Sequence, residues 1–162
     1  MAVTYDILKG NSQVKGRIGE VIASHHLREM GLIVDRPSRI LSLLKRAGVP
    51  DNYEVQFLRR YKKTMDYFAV LPRDDPLVLR RQAICEVFAK GGLDKYTSQG
   101  EGKGYVVEVK TSQKGNSRAS KRQERMFHTA GKLGFGGILA KVTFKENYTV
   151  EIRLVRLDPS SK

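Results

Sequence analysis

A strand that alternates charged and apolar side chains is the feature that most limits how this chain folds. Residues 105–110 are Tyr-Val-Val-Glu-Val-Lys, and they follow a glycine-rich turn at Gly100–Gly104. β-Branched residues at this density predict a strand. Side chains two positions apart on a strand lie on one face. Glu108 and Lys110 therefore share a face, and the neighbouring valines point into the opposite layer of an α/β fold.

Helices and strands are expected on both sides of this segment. Apolar residues at helical spacing predict helices, and short β-branched runs predict strands. The expected helices cover residues 14–30, 38–48, 75–92 and 117–133. The expected strands cover residues 32–36, 53–58, 67–71, 105–110, 137–144 and 148–157, with residues 83–89 as an alternative strand. This order predicts one α/β domain over residues 1–162, with a mixed central β-sheet flanked by α-helices.

Particular residues mark the ends and inner faces of these helices. Ser38 is a candidate N-cap, and Gly31 and Gly48 are candidate helix stops. Pro76 suits the first position of a helix. The apolar residues expected to face inward are Val14, Ile18, Val21, Ile22, Leu27 and Met30, then Leu77, Ile84, Val87 and Phe88, then Met126, Phe127, Ala130 and Leu133.

The net charge points to a polyanionic partner. Lys and Arg number 30 against 17 Asp and Glu, which gives a formal charge of +13. Positive charges in such excess repel one another in the folded state. Nucleic acid is the leading partner, because each phosphate that a cation neutralises releases condensed counterions.

Other features restrict the class of protein. No apolar run approaches the roughly 20 residues that a membrane-spanning helix needs, and the N-terminus lacks the layout of a signal peptide. The single cysteine, Cys85, excludes an internal disulfide and a cysteine-based zinc cluster. His25 and His26 would point apart on a helix and make a poor metal pair. We therefore expect a cytoplasmic protein without membrane contact.

An acid and a lysine two residues apart fit the chemistry of phosphodiester hydrolysis, although the pair alone is a weak motif. A divalent cation can hold the scissile phosphate, offset charge in the transition state and activate a water. Mg²⁺ takes one or two carboxylates and completes its shell with water and phosphate. A lysine can orient the water and stabilise developing negative charge. Such a site needs a second carboxylate beside Glu108, preferably at the start of a neighbouring strand.

Three segments together resemble the PD-(D/E)XK nuclease superfamily. Residues 106–111, Val-Val-Glu-Val-Lys-Thr, resemble the ExK half of its motif. Residues 15–20, Lys-Gly-Arg-Ile-Gly-Glu, resemble the first motif of the archaeal Holliday-junction resolvase branch. Residues 120–142 are similar to the helix, glycine and strand that close the core of these enzymes. The resemblance covers residues 14–36 and 104–144.

The resemblance implies a restriction-endonuclease-like core and a catalytic site that uses Mg²⁺, with Mn²⁺ able to substitute. Glu108 and Lys110 are the expected centre of this site. Glu20, on the first helix, is expected to support the metal. Gln123 is either a contact of the active site or an ordinary exposed helix residue. Resolvases of this branch are typically dimers, since a two-fold axis suits symmetrical cutting of two strands, and a homodimer is therefore expected.

The aspartate of the motif has three candidates. In the family it is often preceded by proline and opens the strand that pairs with the ExK strand. Asp66 is followed by an apolar strand and is favoured. Asp94 would face Glu108 across a hairpin turning at Gly100–Gly104 and ranks second, while Asp51 follows a proline and ranks third. The candidate metal ligands are thus Glu108 with Asp66 or Asp94.

Basic residues after the ExK strand are expected to bind a phosphate backbone. The candidates for nucleic-acid binding are Lys114, Arg118, Lys121, Arg122 and Gln123. Tyr61 and Tyr67 are further candidates for stacking on bases, although core packing is favoured for Tyr67.

Two functions of different class follow from these observations. The first is a metal-dependent endonuclease on DNA, with branched, flapped or junction DNA as candidate substrates. Selection would come from shape and backbone contacts, because no helix-turn-helix or zinc-finger pattern is present in the sequence. The second is a catalytically inactive module of the same fold that binds DNA or RNA.

Overall fold

The computed structural model describes residues 12–72, 80–89, 102–112, 120–145 and 149–157, and these contain five helices and five strands. The helices are α1 Ser12–Glu29, α2 Pro37–Arg46, α3 Tyr53–Tyr61, α4 Arg80–Ala89 and α5 Lys121–Lys132. The strands are β1 Ile33–Asp35, β2 Tyr67–Val70, β3 Gly104–Ser112, β4 Gly136–Phe144 and β5 Val150–Arg156.

Strand β3 lies at the centre of a five-stranded sheet with the order β1-β2-β3-β4-β5. Neighbouring strands are antiparallel, except that β3 and β4 are parallel. A parallel pair needs a crossover connection, and α5 lies within it. The predicted mixed sheet is confirmed, and the strand that carries Glu108 is its middle member.

Each face of the sheet packs against its own set of helices. On one face, Phe68 and Val106 lie in a core with residues of α2, α3, α4 and α5. On the other face, Val107 and Val109 lie in a core with residues of α1. The alternation predicted for β3 is confirmed, because Val106 and the two later valines contribute to opposite cores. The predicted α/β class, a mixed sheet flanked by helices, is confirmed with it.

The strand predicted at residues 53–58 is wrong, because α3 occupies this segment. Asn52 caps the helix, its side-chain oxygen accepting the Val55 N–H at 3.0 Å. Residues at helical spacing are buried: Glu54, Val55, Phe57, Leu58 and Tyr61. The prediction weighs the aromatic and β-branched content of the segment and misses its cap and its helical period.

The inner face predicted for α1 is only partly correct. Leu27 is fully buried, but Val21 is 63% exposed and Met30 is 54% exposed. Gly19, Ala23 and Leu27 form the stripe that packs on the sheet, at i, i+4 and i+8. Val14, Ile18 and Ile22 pack against the same core from partly buried positions, so four of the six predicted residues lie on the inner face and only Val21 and Met30 do not.

The second helix begins one residue earlier than predicted, and Ser38 is not its cap. Arg36 holds the N-cap position without a side-chain cap bond, and Pro37 starts the helix. Gly48, with a φ of 74°, follows the last turn as predicted.

Most of the remaining predictions agree with the structure where it describes the chain. Ile84, Val87 and Phe88 are buried on a helix, so the alternative strand at residues 83–89 is wrong. The last helix begins at Lys121 after an N-cap at Ser120. The start predicted at Asp75–Pro76 and the stop at Gly91–Gly92 lie outside the described residues, whereas the start predicted at about residue 117 is too early, because Ser120 is extended and caps a helix that begins at Lys121.

None of the helices in the described part of the chain is long and apolar enough to cross a bilayer.

Candidate active site

Glu108 is a buried acid in the middle of the sheet. Its relative exposure is only 5%, although it lies two residues from the half-buried Lys110. Its Oε2 atom is buried without a hydrogen-bond partner among the described residues. A buried carboxylate oxygen normally has a donor or a cation beside it. The Oε2 atom of Glu108 therefore still lacks the donor or cation that a buried carboxylate oxygen normally has beside it.

Asp66 is fixed directly against β3. The antiparallel register pairs Tyr67 with Val107, so one further step brings Asp66 opposite Glu108. The Asp66 backbone N–H donates to the Val107 carbonyl at 3.1 Å. Its Oδ2 accepts the Val109 N–H at 2.7 Å. Of the three aspartates weighed from the sequence, Asp66 is the one that the structure brings to Glu108.

The two carboxyl groups share a site in which both pKa values are raised. The pKa of Glu108 rises from 4.5 to about 9, chiefly through burial; the charge of Asp66 and a hydrogen bond with it add to the rise, and Lys110 opposes it. The pKa of Asp66 rises from 3.8 to about 6, again chiefly through burial, and the Val109 N–H opposes that rise. Two ionised carboxylates in contact repel each other, so without a cation the pair holds a proton near neutral pH.

Glu20 of α1 reaches the same cluster. It contributes to the raised pKa values of both Asp66 and Glu108. Its Oε2 accepts a hydrogen bond from Arg36 at 3.0 Å. The structure thus brings together four of the five predicted catalytic residues, which are Glu20, Asp66, Glu108 and Lys110. The fifth, Asp94, lies outside the described residues.

Arg36 joins the acids from the end of β1, and sequence reasoning missed it. Its guanidinium lies 4.7 Å from the centre of the Tyr67 ring. It also donates to the Asp66 carbonyl at 3.5 Å, a long hydrogen bond, besides its bond to Glu20. No local signal marks it, since these partners are 16 and 30 residues away in sequence.

Gly19 allows α1 to approach the strand closely. A Cβ atom on Gly19 would overlap the Thr111 Cγ2 atom. Only glycine fits between the helix and β3 at this point without a shift. In the first motif, Gly19 therefore makes the close contact with β3, and Glu20, the next residue, supplies the acid.

Asp51 is not part of the cluster. It precedes α3, and its carboxylate pairs with Arg59 at 2.9 Å. Because residues 53–61 form a helix and not a strand, the Pro-Asp sequence does not open a strand beside β3.

Three residues predicted to bind nucleic acid lie on the first turn of α5. Lys121 and Arg122 are exposed, and Arg122 Nε donates to Thr64 Oγ1 at 2.9 Å. Gln123 is buried. It forms a capping box in which its side chain accepts the Ser120 N–H at 2.8 Å, so a structural role explains it. Lys114 and Arg118 lie outside the described residues.

The aromatic candidates for base stacking are both buried. Tyr61 and Tyr67 are 7% and 5% exposed. Core packing is the expected role of Tyr67, whereas the stacking role considered for Tyr61 is wrong. Phe57 packs against the Tyr61 ring with a centroid distance of 5.1 Å.

A row of cations, also missed from the sequence, continues from Lys110 across the sheet. Lys110 pairs with Lys141 of β4, and Lys141 pairs with Arg153 of β5. Paired residues project from the same face, and strands are about 4.8 Å apart. The three side chains form no ion pair within the described part of the chain. These side chains are recognised as one row only when the order of the strands in the sheet is known.

Comparison with known proteins adds no relative: no family model, no curated protein and no solved structure matches this chain. Function is therefore inferred from the geometry of these residues.

Proposed function

We propose that this chain is a magnesium-dependent nuclease that hydrolyses phosphodiester bonds in DNA, on a restriction-endonuclease-like core of the PD-(D/E)XK type. One observation carries the proposal. An aspartate opens the strand that pairs with the Glu-Val-Lys strand, and a hydrogen bond from Val109 holds its carboxylate beside Glu108. This is the arrangement that the resemblance in sequence requires, with Asp66 in place of a literal Pro-Asp.

The donor set fits Mg²⁺. Asp66 and Glu108 supply hard oxygen ligands, and the buried Oε2 of Glu108 lacks a partner among the described residues. In the same part of the chain, no three or more His, Cys, Asp or Glu side chains converge on one metal position. Mg²⁺ needs only one or two carboxylates, because water and phosphate complete its shell. Glu20 would then act through water, held in place by Arg36.

Each residue of the cluster has a role in this mechanism. The bound cation would supply charge to hold the scissile phosphate and acidify a water. Asp66 and Glu108 would hold that cation, and its charge would reduce their mutual repulsion. Lys110, on the face of Glu108, orients the attacking water and stabilises negative charge that develops on the phosphate. Arg36 keeps Glu20 turned toward the acids.

The charge distribution supports nucleic acid as the substrate. The row Lys110, Lys141 and Arg153 begins two residues from Glu108 and crosses three strands. Cations in a line can follow the phosphates of a backbone. Binding through phosphates favours recognition of shape, so flapped and four-way-junction DNA are the first substrates to compare. A homodimer and a cytoplasmic location remain predictions from the sequence.

The inactive DNA- or RNA-binding module is the weaker alternative. Its main support in the sequence is the missing Pro-Asp pair, and an aspartate at the start of β2 weakens that support. A protein that only binds nucleic acid has no need for a buried Glu108 beside a half-buried Asp66, since burying acids destabilises the fold.

The deciding experiment is cleavage of labelled linear, flapped and four-way-junction DNA with and without Mg²⁺. Wild-type protein is compared with Glu108→Gln, Lys110→Ala and the control Lys132→Ala, which removes an exposed lysine at the end of α5. We expect Mg²⁺-dependent cutting that Glu108→Gln and Lys110→Ala reduce by about 10³-fold and that the control leaves unchanged. Salt-sensitive binding without cutting of any substrate would favour the inactive module.

A further inference from the structure

An arginine-lined cleft lies between α2 and α4, beside the acid cluster. Its volume is about 550 Å³. One wall is a stripe of α2, and the other is the described beginning of α4. The residues that line it are Asp35, Ser38, Arg39, Ser42, Leu43, Arg46, Arg80 and Arg81. Four arginines and one aspartate thus line a space that small molecules or a length of nucleic-acid backbone can enter.

The α2 wall of the cleft is a continuous polar stripe. Ser38, Ser42 and Arg46 follow one another at four-residue spacing and lie on one side of the helix. All three are exposed. The hydroxyls can donate to phosphate oxygens, as serines commonly do in complexes with DNA. The opposite side of α2 is apolar and packs in the core through Ile40 and Leu44.

Two of the four arginines have no ion-pair partner among the described residues. Arg80 pairs with Asp35 at 2.6 Å, and Arg46 donates to its own helix at the Ser42 carbonyl. Arg39 and Arg81 form no ion pair within the described residues and are exposed. A guanidinium matches the two oxygens of a phosphate with parallel hydrogen bonds. Within the described residues, Arg39 and Arg81 therefore leave donors that an anion can use.

The cleft adjoins the candidate active site, because Asp35 of the cleft and Arg36 of the acid cluster are neighbours in sequence. Asp35, in the cleft, accepts a hydrogen bond from the Arg36 backbone N–H at 2.8 Å. The side chain of Arg36 contacts Glu20 of the acid cluster. The row that begins at Lys110 leaves the acids in the other direction, toward β5. A nucleic-acid strand across the acids would thus meet cations on both sides.

We propose that this cleft binds backbone phosphates of the DNA beyond the cleavage site, with Arg39 and Arg81 as the principal contacts. The inference rests on the proposed function, which places the DNA strand across the acid cluster. The cleft would fix how far the duplex or the displaced strand extends past the acids.

Binding measured without cleavage tests the inference. Fluorescence anisotropy of labelled duplex and single-stranded DNA is followed in EDTA over a salt series. Arg39→Ala/Arg81→Ala is compared with Lys45→Ala/Arg60→Ala, which removes two exposed cations of α2 and α3 that lie outside the cleft. Thermal unfolding checks that both double variants are folded.

We expect the cleft variant to raise the Kd for DNA about 10-fold or more, while the control shifts it by much less. The slope of log K against log salt should fall by roughly 1.4–1.8, since each lost phosphate contact removes about 0.7 in single strands and 0.9 in duplex. Equal effects of the two double variants would overturn the inference. So would equal competition by a polyglutamate of the same charge, which would assign the cleft to acidic peptides.

The outcomes separate this inference from the nuclease proposal. If the protein cuts DNA in Mg²⁺ but the cleft variant loses no DNA affinity, the nuclease proposal stands and the proposed role of the cleft is wrong. If the protein cuts no DNA but substitution of Arg39 and Arg81 lowers its DNA affinity, the role of the cleft stands and the nuclease proposal is wrong.

Discussion

The Asp66 side chain and the Val109 backbone are joined by a hydrogen bond of 2.7 Å, from the N–H to Oδ2. Val109 lies between Glu108 and Lys110, so this bond ties the opening of β2 to the centre of the proposed site. The separation of the two acids therefore depends on strand pairing and not on a loop. The Asp66 carboxyl group thus serves the fold through Val109 and also interacts with Glu20 and Glu108.

Substitution of Asp66 should separate these two roles. Asparagine keeps an oxygen that can accept the Val109 N–H but loses the charge. We expect Asp66→Asn to retain the stability of the wild type while losing Mg²⁺ binding in calorimetry. Asp66→Ala should lose Mg²⁺ binding and also about 1–3 kcal/mol of stability, because the buried N–H is left without an acceptor. Equal stability of the two variants in urea unfolding would show that the hydrogen bond has no structural weight.

Local sequence patterns predict the parts of the fold whose partners lie close in the chain. The alternation at residues 105–110 predicts β3 and the shared face of Glu108 and Lys110, because strand period is a local property. An acid followed by an apolar strand points to Asp66 without knowledge of the pairing. Both predictions use residues within a window of about six.

A missed local signal explains one failure, and long-range contacts explain the others. The segment 53–58 contains aromatic and β-branched residues that suit a strand, yet the Asn52 cap and a core contact on one side make it a helix. Arg36, Lys141 and Arg153 become candidates only when the sheet order brings them to the acids. The strands follow chain order in the sheet, but the register that pairs Lys110 with Lys141 and Lys141 with Arg153 is set by the assembled sheet and not by any local pattern.

Stability should change with pH through Glu108. Its pKa is about 9 in the folded protein against 4.5 when freely exposed, so the folded state binds more protons between these values. Stability from this group is thus fully present below pH 4.5 and is lost as the pH rises toward 9. Glu108→Gln, which imitates the protonated acid, should unfold at nearly the wild-type Tm at pH 4. At pH 8 its Tm should be higher by roughly 5 °C or more, because the folded wild type still holds a proton that the unfolded chain has released, and avoiding this proton uptake is worth at least about 2 kcal/mol.

Added Mg²⁺ gives the matching control for this pH effect. At pH 8 a cation between Asp66 and Glu108 should raise the Tm of the wild type and leave that of Glu108→Gln nearly unchanged. A Tm difference between the two proteins that is constant from pH 4 to pH 8 would contradict the burial of an ionisable acid at this position.

Arg36 should act as a positioning residue for Glu20. Arg36→Met keeps an apolar chain against the Tyr67 ring but removes the donors to Glu20. We expect the Mg²⁺ concentration for half-maximal cleavage to rise about 3- to 10-fold, with a smaller change in the rate at saturating Mg²⁺. Arg36→Lys should recover only part of the loss, because an ammonium lacks the planar fork of donors.

Arg60 offers a matched control for Arg36. Its guanidinium also lies over a tyrosine, 5.4 Å from the Tyr61 ring centre, but on α3. Arg60→Met should leave the Mg²⁺ dependence unchanged. If both arginine variants shift it equally, the effect reports stability and not the position of Glu20.

Two glycines of α1 should respond in opposite directions to the same substitution. A Cβ atom on Gly16 would meet no other part of the described fold within 4 Å, whereas a Cβ atom on Gly19 would overlap Thr111 Cγ2. Gly16→Ala should stabilise the protein by about 0.5–1 kcal/mol in urea unfolding, because alanine favours the helix. Gly19→Ala should destabilise it by about 1–3 kcal/mol through overpacking and move Glu20 away from the acids.

A second substitution at Thr111 tests whether that overlap is the cause. Thr111→Ser removes the methyl group that the new Cβ atom would meet, so Gly19→Ala/Thr111→Ser should regain most of the lost stability. Additive losses in this double-mutant cycle would mean that α1 does not touch β3 at Thr111. The position of Glu20 at the site would then lose its structural basis, because the close approach of the helix is what brings this acid to Asp66 and Glu108.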